Sequence, residues 1–196
     1  MKKILCILLF ACLTCSSSSF AFDPLIVCSG APASGGTTCS GDYGETVDGT
    51  SATADNAGFT KLLRVTYGCT AASNDTTFYF RTSNAIDATH QVVMLIYSDN
   101  AGEPGELVWQ STPLYNAAWS TATWISQTVN VSLSGDYLWI GCHLQDASNK
   151  YYYTSNSPAR DSRYINNGGT FPDVDSNWDV DNDTVSTYGL AVYLNY

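Results

Sequence analysis

The feature that most constrains this chain is a two-residue rhythm with no helical rhythm competing against it. Apolar side chains recur at alternate positions in short stretches bounded by Gly, Asn, Asp and Pro, while Thr, Tyr, Val, Ser and Gly dominate throughout. Spacings of three and four are not sustained over any long window, so the pattern specifies strands and turns. It predicts strands near 24–28, 61–69, 77–82, 90–97, 106–112, 122–131, 136–145, 150–154 and 188–195. Turns fall at Ser73-Asn74-Asp75, at 99–105 and at Ser134-Gly135-Asp136. The polar region 155–186 holds a short strand and long loops.

Two strands declare their faces. Leu63, Val65, Tyr67 and Cys69 share one side of their strand, with Arg64 and Thr66 on the other, and Leu138, Ile140, Cys142 and Leu144 form a similar stripe. The run Val92-Val93-Met94-Leu95-Ile96-Tyr97 is apolar at every position. Such a strand belongs at the centre of a sheet, with other elements covering its outer side. Many short strands at this spacing point to an all-β, two-sheet antiparallel sandwich of one domain.

The N-terminus reads as an export signal over 1–21. Lys2 and Lys3 precede an apolar stretch at 4–14, and Ser19-Phe20-Ala21 offers a cleavage site before Phe22. The stretch is shorter than the roughly 20 residues a membrane helix needs. The mature domain is therefore expected over 22–196, secreted, periplasmic or on a bacterial cell surface, with no membrane helix. Leu9-Phe10-Ala11-Cys12 makes lipidation a secondary reading. Without Lys2 and Lys3, six basic residues face 18 acidic ones, a net charge of −12. That field disfavours nucleic acid and anionic lipid as partners.

Cysteine usage agrees with export. Beyond the signal remain Cys28, Cys39, Cys69 and Cys142, an even set suited to two disulfides with three possible pairings. Cys28–Cys39 would close a short Gly/Ser/Thr loop. Cys69 and Cys142 each lie toward the end of an apolar stripe, which favours a bridge between them. Swapped pairing stays open.

The segment Tyr97-Ser98-Asp99-Asn100-Ala101-Gly102-Glu103-Pro104-Gly105, followed by Glu106-Leu107-Val108, resembles a hairpin of secreted bacterial jelly-roll modules. The stretch Leu133-Ser134-Gly135-Asp136-Tyr137-Leu138-Trp139 resembles their next landmark. Tyr151-Tyr152-Tyr153, Phe171-Pro172 and Trp178 follow in a similar order. Over 61–196 the chain is thus similar to carbohydrate-binding and galactose-binding-like domains, many of uncharacterised function. The resemblance implies a jelly-roll sandwich and a binding rather than a catalytic role. No catalytic domain is expected beside the module within these residues.

Two features carry candidate chemistry. Asp173, Asp175, Asp179, Asp181 and Asp183, with Asn177, put a carboxylate or amide at alternate positions around Trp178. Hard cations want several oxygen ligands, so this segment is a candidate calcium site. It is not an EF-hand: Trp178 occupies the glycine position and Thr184 the position of the final Glu. Trp119, Tyr151, Tyr153 and Trp178 are candidate stacking surfaces for sugar rings, whereas Trp109, Trp124 and Trp139 read as core. Catalytic signals are weak, with His90 and His143 in separate strands and no nucleophile elbow or zinc-binding pair.

The expectation is a non-enzymatic extracellular module binding glycan or another cell-surface ligand, with calcium as a possible aid. The alternatives are a surface or matrix component self-associating through its sheet edges, and a small outer-membrane barrel. The last draws on the terminal Leu190-Ala191-Val192-Tyr193-Leu194-Asn195-Tyr196 alternation.

Overall fold

The computed structural model describes residues 37–47, 49, 51–54, 59–82, 91–114, 123–145, 150–155, 162–165, 170–186 and 188–196. All lie in one compact unit, Gly35–Tyr196. The expected signal at 1–21, the strand at 24–28, Cys28, His90 and Trp119 fall outside the described residues.

The strands are β1 (Asp42–Gly44), β2 (Ser51–Ala54), β3 (Thr60–Ala71), β4 (Thr76–Thr82), β5 (Val92–Asn100), β6 (Glu103–Gln110) and β7 (Thr123–Val129). They continue as β8 (Leu133–Leu144), β9 (Lys150–Ser155), β10 (Ser162–Ile165), β11 (Thr184–Val185), β12 (Tyr188–Leu190) and β13 (Val192–Asn195). Sheet I runs β11-β10-β3-β8-β5-β6, and sheet II gathers β1, β13, β4, β9 and β12, with β7 beside β4 and β2 beside β9. Around the β5–β6 hairpin, β4 pairs with β7, β3 with β8 and β2 with β9, all antiparallel and in alternating sheets. Nested pairs of this kind are jelly-roll connectivity, so the all-β two-sheet antiparallel sandwich is as expected.

The hairpin explains its own sequence. Ala101 and Gly102 both have positive φ, 54° and 98°, which a tight two-residue turn demands. Asp99 caps the turn by accepting the Gly102 amide at 3.1 Å. Ser98 Oγ accepts the Glu106 amide at 3.0 Å, and a Cβ on Gly105 would come within 2.6 Å of that oxygen. Turn chemistry and close packing together fix these residue types.

The inner faces pair as the alternation predicts. Leu63, Val65 and Tyr67 of β3 and Leu138, Ile140 and Leu144 of β8 are buried in the main core. Phe78 and Phe80 of β4 and Val192 and Leu194 of β13 are buried in the same core. The last strand is therefore internal: β12 pairs with β9 and β13 lies between β4 and β1. Its apolar stripe packs into this core, which corrects the outer-membrane barrel alternative, where such a stripe would face lipid.

Cysteine pairing needs a second correction. Cys39 is bonded to Cys69, with their Cα atoms 5.2 Å apart, and Cys142 is a buried thiol. Neither Cys28–Cys39 nor Cys69–Cys142 therefore forms. The reason lies in strand direction. Antiparallel pairing places Cys69 opposite Gly135 and Cys142 opposite Lys61, at opposite ends of the β3–β8 ladder. Eight residues of strand separate those ends, roughly 27 Å, far beyond disulfide reach.

The doubly apolar strand is central and covered. β5 lies between β8 and β6, and Val92, Met94 and Ile96 enter the main core. Val93, Leu95 and Tyr97 join Leu62, Trp139, Ile165 and Trp178 in a second cluster on the opposite face, with Phe171 and Val174 packed against it. Residues 170–183 thus cover the outer side of sheet I. They also extend it: Leu107 donates to the Ser176 carbonyl at 2.8 Å and the Trp178 amide to that of Gly105 at 3.1 Å. The edge of β6 is paired rather than left bare.

Candidate ligand-binding face

The outer side of sheet II is built by the same alternation but carries a different set of side chains. On β4, Phe78 and Phe80 point inward, so Thr77, Tyr79 and Arg81 point outward. On β13 the outward residues are Tyr193 and Asn195, and on β7 they are Trp124, Ser126 and Thr128. Register then assembles them. Tyr79 lies opposite Tyr193, and Trp124 lies opposite Arg81. Because Thr82 meets Tyr151, the next residue of β9, Tyr152, is brought to Arg81.

The result is a row of rings around a cation. Tyr79 and Tyr193 stack with centroids 4.7 Å apart and planes 4° from parallel. Trp124 meets Tyr193 edge-on at 5.1 Å. The Arg81 guanidinium carbon lies 5.8 Å from the Trp124 ring and 5.6 Å from that of Tyr152, within range of cation–π attraction. At the end of the row Asn195 Nδ2 donates to Asp42 at 2.7 Å. Burial, with the Tyr79 and Asp42 groups beside it, pushes the Tyr193 phenol upward. It therefore stays neutral near pH 7, able to donate and accept. Such a face offers apolar ring surface beside fixed hydrogen-bonding groups, the combination that suits a ligand with C–H faces and hydroxyls.

Sequence reasoning missed every member of this row. Trp124 had been assigned to the core and instead faces outward, half-buried. The available signal was parity: Tyr79 and Tyr193 alternate with Phe78, Phe80, Val192 and Leu194, so they had to occupy the opposite face.

Of the expected aromatic platform, the three described members, Tyr151, Tyr153 and Trp178, do not share one face. Tyr151 is buried and stacks with Phe59 at 6.4 Å in the main core. Tyr153 is half-buried against Tyr188 at 4.8 Å. Trp178 is buried on the far side of sheet I, edge-on to Tyr97 at 5.7 Å. Tyr151 and Trp178 offer no free ring face because each fills a hydrophobic cluster. Trp109 and Trp139 are buried as expected.

The acidic segment is also placed. Asp183 accepts Trp178 Nε1 at 2.8 Å and Arg163 at 3.2 Å, and Arg163 also pairs with Glu103. Asp179 turns back to its own loop, accepting the Asp181 amide at 3.1 Å and the Asn182 side chain. Asp175 contributes its backbone carbonyl to the Tyr97 hydroxyl at 2.8 Å. Asp173 and Asp181 are exposed. Among the described residues, no three carboxylate, imidazole or thiol groups converge in a metal-binding arrangement.

A cleft of about 520 Å³ opens between the β5–β6 hairpin and residues 177–180, with Asp99 on its wall. Asp99 accepts Arg64 at 2.7 and 3.1 Å, Trp139 Nε1 at 2.9 Å and the Gly102 amide. Burial alone would raise its pKa, but these bonds and the Arg64 charge hold it below the usual carboxylate value. That carboxylate ties three strands together. No protein-family model, curated protein or solved structure matches this chain.

Proposed function

We propose that this protein is a non-enzymatic extracellular binding module that takes glycan on the open aromatic face of sheet II. The carrying observation is the Trp124, Arg81, Tyr152, Tyr79 and Tyr193 row, brought together by four strands from distant parts of the sequence. Core packing does not account for it, because each strand already supplies separate inward residues to the core. Sugar rings present C–H faces that stack on aromatic side chains, and the tyrosine hydroxyls, Asn195 and Asp42 lie beside those rings to bond hydroxyl groups. The chain's acidity argues against polyanionic ligands. A Cys39–Cys69 disulfide is consistent with an extracellular or periplasmic setting, and no helix among the described residues is long and apolar enough to cross a membrane.

The test is a glycan array probed with the oxidised protein, alongside Trp124→Ala and Tyr193→Ala. Binding by the parent that falls at least tenfold in both variants supports the face. Binding unchanged in both, or absent from every glycan, overturns it. Running the array with calcium and with chelator also tests whether the acidic segment at 173–183 assists.

A further inference from the structure

We propose that His143 is an acid-operated release for residues 170–183, so that its protonation lifts this covering segment from the outer face of sheet I. This device lies on the sheet opposite the aromatic row and stands apart from the glycan reading.

The geometry puts a titratable ring where a cation has no place. His143 is fully buried, and its Nδ1 lies 2.6 Å from Thr60 Oγ1. Its Nε2 has no hydrogen-bond partner among the described residues. The ring lies 5.8 Å from Phe171 of the covering segment, with planes 13° apart. Val93 of β5 is its register partner on the other side. In the neutral ring one nitrogen going without a partner costs a modest amount, but a second N–H on a charged ring, enclosed by Phe171, costs far more.

The charged groups of the surrounding elements do not relieve this. On β3, Arg64 is engaged by Asp99, and Lys61 belongs to the opposite side of the strand, its ammonium over Tyr151. On β5, Asp99 is taken by Arg64. On β10, Arg163 is paired with Asp183 and Glu103. On the covering segment, Asp175 is the one charge that favours the imidazolium, and it is exposed. Burial outweighs it and brings His143 down to about 4.

Opening the segment would expose the ring to water and relieve the charge. The polar contacts to be broken are Tyr97 to Asp175, Gln110 to Pro172 at 2.6 Å, Leu107 to Ser176, Trp178 to Gly105 and the Arg163–Asp183 ion pair at 3.2 Å. The surface uncovered is apolar, with Leu62, Val93, Leu95, Tyr97 and Trp139 beneath.

Hydrogen exchange of the full chain between pH 7 and pH 4, corrected for intrinsic rates, tests the proposal. The Leu107 and Trp178 amides report the segment, and the Phe78 and Phe80 amides report the sandwich. The segment's opening constant should rise on the order of 100-fold across this range, given a histidine that ordinarily titrates near 6.5. The sandwich amides, which open only in global unfolding, should stay far better protected than the segment amides at both pH values. His143→Phe, which keeps the stack and removes the titration, should flatten the response. Segment protection that is independent of pH, or a rise that persists in His143→Phe, overturns the proposal. If that variant does not fold, NMR titration of the parent decides. Opening that follows the His143 signal supports the proposal, and opening displaced from it overturns it.

Discussion

The two sheets have outer faces built by one rule and finished in opposite ways. On sheet I the outward residues of β3, β5 and β8 include Leu62, Val93, Leu95, Tyr97 and Trp139, and residues 170–183 close over them. On sheet II the outward residues include Tyr79, Arg81, Trp124, Tyr152 and Tyr193, and the described residues place no comparable segment across them. Aliphatic side chains and a fully buried indole require cover. Tyrosine, tryptophan and arginine tolerate water at their polar ends while holding apolar surface beneath. The difference separates a face sealed by its own chain from one that the described residues leave open.

The largest expected effect lies on the covered side. Trp139 is fully buried, donates Nε1 to Asp99 and packs in the second cluster. Trp139→Ala should cost about 3–5 kcal/mol, from lost burial, an indole-sized cavity and one missing bond to a buried carboxylate. Urea unfolding at pH 7 measures it. A loss below 1 kcal/mol would mean that the covering segment closes the gap and that the face is less rigid than its packing indicates.

An acid titration sharpens the contrast next. The folded-state pKa of His143, about 4, is below the unfolded value near 6.5, so the unfolded chain binds the proton first. This contribution to stability is intact above pH 6.5 and falls as pH drops through the window down to about 4. Its full size is about 3 kcal/mol. His143→Phe should lack that share of the loss, read as the difference between the two proteins' unfolding free energies at pH 7 and pH 4. Asp99 acts lower: its depressed pKa gives stability present above the ordinary carboxylate range and lost as pH falls beneath it. Equal pH dependence in parent and variant would remove His143 from the account.

Much of the covered face was legible in the sequence. An apolar residue at each position of 92–97 leaves no solvent side, and β5 is indeed central and covered. The hairpin was legible because Asp99, Gly102 and Gly105 each meet a local demand of the turn. The open face was not. Tyrosine and tryptophan at alternate positions beside phenylalanine and valine read as apolar on both sides, and parity assigns a face without saying whether it is covered. The disulfide required the direction of pairing between β3 and β8, which no single strand encodes. The acidic segment was read as a ligand set because its carboxylates alternate, a pattern that does not encode local partners: Asp183 accepts Trp178 and Arg163, and Asp179 accepts within its own loop.

The smallest expected effect on stability is the one most informative about function. Trp124→Ala removes a half-buried ring from the outside of β7 and leaves Ile125 and Val129 in the core. Its loss should cost about 1 kcal/mol, the scale of an edge-on aromatic contact with Tyr193 together with a partly exposed cation–π contact to Arg81. Thermal unfolding checks this directly. The same substitution should abolish most glycan binding while leaving the fold intact, so stability and recognition would separate on this face as they cannot at Trp139. If Trp124→Ala instead destabilises the domain by 3 kcal/mol or more, the row of rings is a second structural layer. The two outer faces would then differ in composition alone, and the recognition surface would have to be sought elsewhere on the sandwich.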